Sequence, residues 1–265
     1  MNRFRELKFL FIAVAAALLS ACGSGAVDLP SIVPVMRSAT LTGAQEVPAV
    51  VTTATGTGLV TADPTTKIIV GGITTTGVTG TAAHIHIGAV GVNGGAIITL
   101  SETPPAGSGV WAIPAAAILT QAQYDNLLAG DLYFNVHSAA NPTGEIRGQI
   151  VKAQPLSGAQ VVPPVTTAAS GIGTVAVNHA TLVMVGGIKT LGITGTAAHI
   201  HLGAAGTNGA AVFTLTESAA GSGVWVVPTT TLTAPQHSDL MAGNYYFDVH
   251  STAKPDGEIR GQIVP

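Results

Sequence analysis

The sequence predicts an all-β protein of two tandem domains, each a Greek-key or immunoglobulin-like β-sandwich or barrel with one short helix. Three observations lead there. Only 9% of the 265 residues are charged and 5% aromatic, with 33 Gly and 15 Pro, which suits short β-branched runs broken by turn formers and excludes coiled coils and long exposed helices. Those runs recur about every ten residues, the spacing of strands in a sandwich or barrel. The chain is also written twice. Leu41-Thr42-Gly43-Ala44-Gln45 returns as Leu156-Ser157-Gly158-Ala159-Gln160 at an offset of 115, Trp111 returns as Trp225 at 114, and residues 144–150 return as 257–263 at 113. A repeat of about 110 residues buries a core of its own, so the duplication reads as two domains and not as a solenoid.

Arg3, Arg5 and Lys8 precede an apolar run over 9–19 that ends in small residues. Residues 1–21 therefore read as a secretory signal, and the run is shorter than the roughly 20 residues a membrane-spanning helix needs. The sole cysteine stands in Leu19-Ser20-Ala21-Cys22-Gly23, which resembles the lipobox of bacterial lipoproteins. The resemblance implies cleavage before Cys22, its lipidation, and export of a chain held at the cell envelope through membrane-embedded acyl chains. Gly23, where Asp would retain a lipoprotein at the inner membrane, resembles the outer-membrane sorting pattern of Gram-negative bacteria. Residues 22–37, with Pro30 and Pro34, read as a tether.

The two domains are expected over 38–151 and 153–265. In the first, strands are expected at 38–42, 56–62, 67–74, 82–87, 96–100, 132–137 and 145–151, each a short β-branched or alternating run bounded by turn residues. The helix is expected over 120–128, where Thr120 supplies a cap and Gly130 a stop, with its counterpart at 233–241. Trp111 and Trp225, each after Gly-Ser-Gly-Val, are expected to plug the core or its rim. Residues 91–95 and 206–209 are turn chemistry, Gly and Asn supplying positive φ.

Formal net charge is −3, and losing the signal removes three bases against one acid, so the electrostatic footprint of a nucleic-acid binder is missing. A single cysteine allows no intrachain disulfide. The sequence holds neither a Gly-x-Ser-x-Gly elbow nor a His-Glu-x-x-His pair, so hydrolase chemistry has no identifiable nucleophile and base.

Three motifs mark each repeat: Leu41-Thr42-Gly43-Ala44-Gln45-Glu46-Val47-Pro48, Ala83-His84-Ile85-His86-Ile87-Gly88, and Phe134-Asn135-Val136-His137-Ser138 followed by Gly144-Glu145-Ile146-Arg147-Gly148-Gln149-Ile150. By these motifs each repeat resembles a CHRD domain, the module first described in chordin and widespread in exported bacterial proteins. The second copy departs at Val161, which stands where Glu46 does. The resemblance implies an immunoglobulin-like or barrel-like β-domain and carries little agreed biochemical function.

The chemistry is expected at the histidines, because six of the eight occupy matching positions. His84 and His86 leave one face of their strand and His137 the polar face of another; His199, His201 and His250 repeat the arrangement. A His-x-His strand beside a further His brings three imidazoles to one ion, a donor set that suits copper, or alternatively zinc. Around them the copies have diverged, residues 61–66 having become 176–181, while the histidine segments are nearly unchanged. The pattern has a weaker architectural likeness to copper-zinc superoxide dismutase, without its fourth histidine, zinc-loop cluster or disulfide.

Asp131 or Asn141 would orient an imidazole, Glu145 and Arg147 would form a structural ion pair, and His179 and His237 read as ordinary surface residues. The sequence thus points to an envelope-anchored metal-binding or metal-buffering protein with one copper ion per domain at His84, His86 and His137 and at His199, His201 and His250. An extracellular interaction or adhesion module with structural histidines and an envelope protein partner is the alternative, and a copper-dependent oxidoreductase a third reading.

Overall fold

The first repeat opens at β1 (Val35–Thr42) and continues through β2 (Thr55–Ala62), β3 (Ile69–Thr76), β4 (Gly80–Ile87), β5 (Ala96–Thr99), β6 (Ser101–Glu102), β7 (Val110–Ala112), α1 (Gln121–Ala129), β8 (Leu132–Ser138) and β9 (Ile146–Gln149). The second repeats the plan in β10 (Gln154–Ser157), β11 (Ser170–Val177), β12 (Val183–Leu191), β13 (Gly195–Leu202), β14 (Ala211–Glu217), β15 (Val224–Thr231), α2 (Ala234–Met241), β16 (Tyr245–Ser251) and β17 (Ile259–Ile263). These elements come from a computed structural model that describes residues 33–264. The expected signal, Cys22 and most of the expected tether lie outside them. Among the described residues no helix is long and apolar enough to cross a membrane.

Of the two architectures the sequence allows, the barrel is the one formed. The second repeat closes in the order β10-β11-β12-β15-β14-β13-β16-β17, and the run β12-β15-β14-β13 is a Greek key. The first repeat follows the same order, β9-β1-β2-β3-β7-β6 on one side and β5-β4-β8-β9 on the other. Its two end strands, β5 and β6, are consecutive in the chain and separated only by Leu100, whose amide donates to Ala83 (2.9 Å). The sheet therefore closes through the chain itself.

Alternation explains the interior. Leu132, Phe134 and Val136 of β8, Ala83 and Ile85 of β4, and Leu41 of β1 point inward and are at most 1% exposed, while their neighbours in sequence point out. Burial of the Leu, Ile, Val and Phe side chains among these stabilises by about 1.5–3 kcal/mol each. Each helix lies between the tryptophan strand and the strand that follows. Thr120 caps α1 in a reciprocal capping box with Gln123, Gly130 closes it at φ 81°, and Thr233 with Gln236 repeats the cap on α2.

One boundary differs from expectation. Strand β1 begins at Val35, so residues 35–37, assigned to the tether, pair with β2 in the register Val35↔Ala62 and Arg37↔Val60. The tryptophans are buried in the two cores as expected, and each sits on a strand, with Trp111 opposite Ile73 and Trp225 opposite Ile188. In the first repeat that strand is three residues long, too short to show an alternating pattern.

Both repeats belong to one compact unit, Ile32–Pro265. Thr174 donates its hydroxyl to that of Thr40 (3.2 Å), Asn178 donates to the Val90 carbonyl (2.9 Å), and Thr229 to the Ala44 carbonyl (3.3 Å). Val90 also packs with Ala176 and Val185 of the second repeat. The short connection limits mutual freedom, and these contacts fix the barrels against each other.

Candidate metal centre

The period-two geometry that sends Ala83 and Ile85 into the barrel sends His84 and His86 out of it. On the neighbouring strand Tyr133 lies opposite His86, Asn135 opposite His84, and His137 opposite Ala82. His137 thus stands diagonally beside His84. Ring centroids are 5.0 Å apart for His84 and His137, 5.6 Å for His84 and His86, and 6.2 Å for His86 and His137. One nitrogen from each lies within 4.8 Å of the other two. His199, His201 and His250 repeat the arrangement with the same centroid separations.

Hydrogen bonds decide which nitrogens can ligate. His86 Nδ1 is 2.9 Å from the Gly94 carbonyl and His137 Nδ1 is 3.1 Å from the Pro142 carbonyl. A carbonyl only accepts, so both Nδ1 atoms carry the proton and both Nε2 atoms present lone pairs. His86 Nε2 is buried with no partner at all, as is His201 Nε2. His137 Nε2 lies 3.0 Å from His84 Nδ1. Two nitrogens bound tetrahedrally to one ion at about 2.0 Å are about 3.3 Å apart, so the pair stands near ligand spacing already. In the second triad His201 donates to Gly209 and His250 to Pro255, both at 2.9 Å, and His199 Nδ1 stands 3.1 Å from His250 Nε2. A neutral three-imidazole set with a buried, unsatisfied lone pair fits a borderline metal ion, and each triad can hold one.

The orienting partners are backbone carbonyls, where Asp131 or Asn141 was expected. Asn141 faces Glu145 instead. Gly94 can present its carbonyl because the chain doubles back tightly there: a Cβ at Gly94 would fall 1.6 Å from the Ile87 oxygen, and at Gly209 1.5 Å from the Leu202 oxygen. Arg147 holds this loop. It is 1% exposed and donates to the Ala89 and Val92 carbonyls (3.1 and 3.0 Å) and to Asn93 Oδ1 (3.2 Å). Its guanidinium also lies 3.5 Å above the Tyr133 ring, while His86 stacks on that ring at 5.0 Å and 17°. Arg260, Tyr246 and His201 form the same layer.

The expected pairing of Glu145 with Arg147 is not what these residues do. Glu145 accepts from the Thr52 hydroxyl (2.9 Å) and Glu258 from Thr167 (2.6 Å) and Ser251, fastening loops on the other side of the strand pair. Sequence reasoning missed Tyr133, Tyr246 and the support role of both arginines. Their recurrence at matching positions beside an unchanged Asn-Gly turn was the available signal.

Burial lowers the pKa of His84 and His86 below the ordinary imidazole value, and neighbouring imidazoles lower both further. For His86 the Arg147 cation adds to this against the opposing Gly94 hydrogen bond. His199 and His201 are lowered in the same way. The effect keeps the imidazoles neutral, the form that ligates. Behind the triad a buried carboxylate sits at one position in each repeat. In the first it is Glu46, pushed up to about 7 by burial, and in the second Asp248, also raised by burial.

Residues 37–150 and, again, 153–263 match the CHRD domain family. A search of curated proteins gives no match.

Proposed function

The chain belongs to the CHRD family, two copies of whose domain span most of its length, and from that premise we propose that it binds copper at the cell envelope, one ion per domain. The observation that carries this reading is the pair of buried, unpartnered nitrogens His86 Nε2 and His201 Nε2, each aimed beside two further imidazoles whose separation suits one ion. A buried lone pair without a donor costs about 1–3 kcal/mol, and a metal ion removes that cost. Copper is favoured over zinc because a nitrogen-only site with little constraint on geometry follows the general affinity order, which peaks at copper. Three protein ligands leave a position for water or a passing ligand, which suits reversible binding and buffering. Attachment through Cys22 would concentrate the sites at an envelope membrane, the outer one in a Gram-negative cell.

The test is metal content on residues 26–265 purified without a histidine tag, stripped, and titrated separately with Cu(II), Cu(I) and Zn(II). Two tightly held ions at the triads, reduced to one by His86→Ala alone, support the reading. No loss of bound metal in a variant carrying both His86→Ala and His201→Ala overturns it.

A further inference from the structure

The two histidines outside the triads meet each other. His179, in the turn between β11 and β12, and His237, on α2, have Nδ1 and Nε2 3.1 Å apart and rings at 5.4 Å and 71°. That nitrogen spacing again approaches the roughly 3.3 Å of two ligands on one tetrahedral ion. One turn further along α2 stands Met241, at the i+4 position that shares a helix face with His237. Met241 is 45% exposed and lines, with His179, a cavity of about 460 Å³ between the two repeats.

None of these donors has a counterpart in the first repeat. Their equivalents are Pro64, Tyr124 and Leu128, and Tyr124 there packs under the Lys67 ammonium (4.6 Å). The second repeat therefore differs from the first at three positions, His237 and Met241 one helical turn apart and His179 more than fifty residues earlier yet in contact with His237, and all three carry metal-binding types. The turn that carries His179 is fixed from both sides: Asn178 Oδ1 accepts from the amides of Ala180 and Thr181 (3.0 and 3.1 Å), and its Nδ2 reaches the Val90 carbonyl of the first repeat.

We propose that His179, His237 and Met241 form a third metal site, separate from the triads, that takes Cu(I). Two imidazoles and a thioether are a soft donor set, and thioether sulfur selects Cu(I) over zinc and Cu(II). The charge environment points the same way. Arg37 and Lys152 line the same cavity, and a divalent ion is repelled by them twice as strongly as a monovalent one. An exposed two-imidazole site beside an open cavity exchanges its ion more readily than the half-buried triads, which suits loading and release. The site does not depend on metal binding at the triads.

The experiment uses Cu(I), added under ascorbate and measured by competition with a chromophoric Cu(I) chelator, on a protein whose triads are each reduced to a single imidazole by His84→Ala, His86→Ala, His199→Ala and His201→Ala. One Cu(I) per chain is expected, with a sulfur scatterer in its X-ray absorption spectrum, and the ion is lost when His237→Tyr and Met241→Leu install the first-repeat residues, a change the homologous barrel already accommodates. Circular dichroism confirms the fold of each variant. Absence of Cu(I) from the triad-disabled protein, or retention after His237→Tyr and Met241→Leu, overturns the proposal. The same two substitutions in a chain with intact triads leave ions bound at those triads untouched, so failure here and failure of the triad reading are told apart.

Discussion

Asp248 fills in the second repeat the buried pocket that Glu46 fills in the first. A Cβ on Gly144 would stand 2.8 Å from Glu46 Oε1 and 2.6 Å from Asn135 Oδ1, and one on Gly257 would stand 2.6 Å from Asp248 Oδ1. Where the first repeat has Glu46 and Asn135, the second has Val161 and Asp248. The pocket keeps one carboxylate and changes the segment that brings it, from the turn after β1 in the first repeat to β16 in the second. Placing a second acid there should therefore be costly: Asn135→Asp alone is expected to destabilise by about 3 kcal/mol at pH 8, because two carboxylates would share one site far from water. Combined with Glu46→Val it should be close to neutral. Urea denaturation of the single and double variants measures the coupling.

Glu46 also sets a pH dependence. Its folded-state value of about 7 lies above the ordinary 4.5, so between these limits the folded protein holds a proton the unfolded chain has released. Stability from this group is complete below about 4.5 and is lost as pH rises through 7. Glu46→Gln should remove that loss and gain most, relative to the parent, at pH 8. The difference between parent and variant melting temperatures across pH 4–8 isolates Glu46 from the histidines.

His84, His86, His199 and His201 have the opposite sign. Their folded values are lowered from the ordinary 6.5, so their contribution is present above 6.5 and is lost as pH falls through the folded values. A metal ion held by the triads should therefore persist to a pH below 6.5 and leave as the imidazoles protonate. Equilibrium dialysis over a pH series gives the release midpoint; full occupancy at pH 4.5 would exclude histidine ligation.

Arg147 is expected to act on metal affinity without touching the ion. Arg147→Lys keeps the charge but loses the planar fork that reaches Ala89, Val92 and Asn93 and covers Tyr133. The Gly94 carbonyl, and with it the orientation of His86, would then be held less firmly. Affinity at the first triad should fall about 10–100-fold, while the second, still supported by Arg260, stays as it was. A competition titration that resolves the two sites reads both in one sample.

Much of this was legible because the chain states it twice. The period-two runs and repeat offsets gave the strands, the barrel or sandwich class and the shared face of His84 and His86. Thr120 and Gly130 gave the helix. What could not be read was whatever depends on chain segments brought together by closure. The carbonyls of Gly94 and Pro142 carry no side-chain signature, and the partner of Arg147 is a loop more than fifty residues away, although Glu145 lies two positions off. His179 and His237 looked unremarkable for the same reason: only the fold of the second repeat makes them neighbours.

Barrel closure matters most while the protein is being made. Strand β4 reads Gly-Thr-Ala-Ala-His-Ile-His-Ile and β13 reads the same except for a final Leu, so each fits the other's slot between β8 or β16 and its outer neighbour. Tandem domains this alike are prone to exchange strands during folding. A closed barrel offers no free edge to a foreign strand, so the hazard exists only while a repeat is open. The chain emerges N-terminus first and so delivers the complete first repeat before β13, and an early-closing first barrel commits each copy of the histidine strand to its own domain.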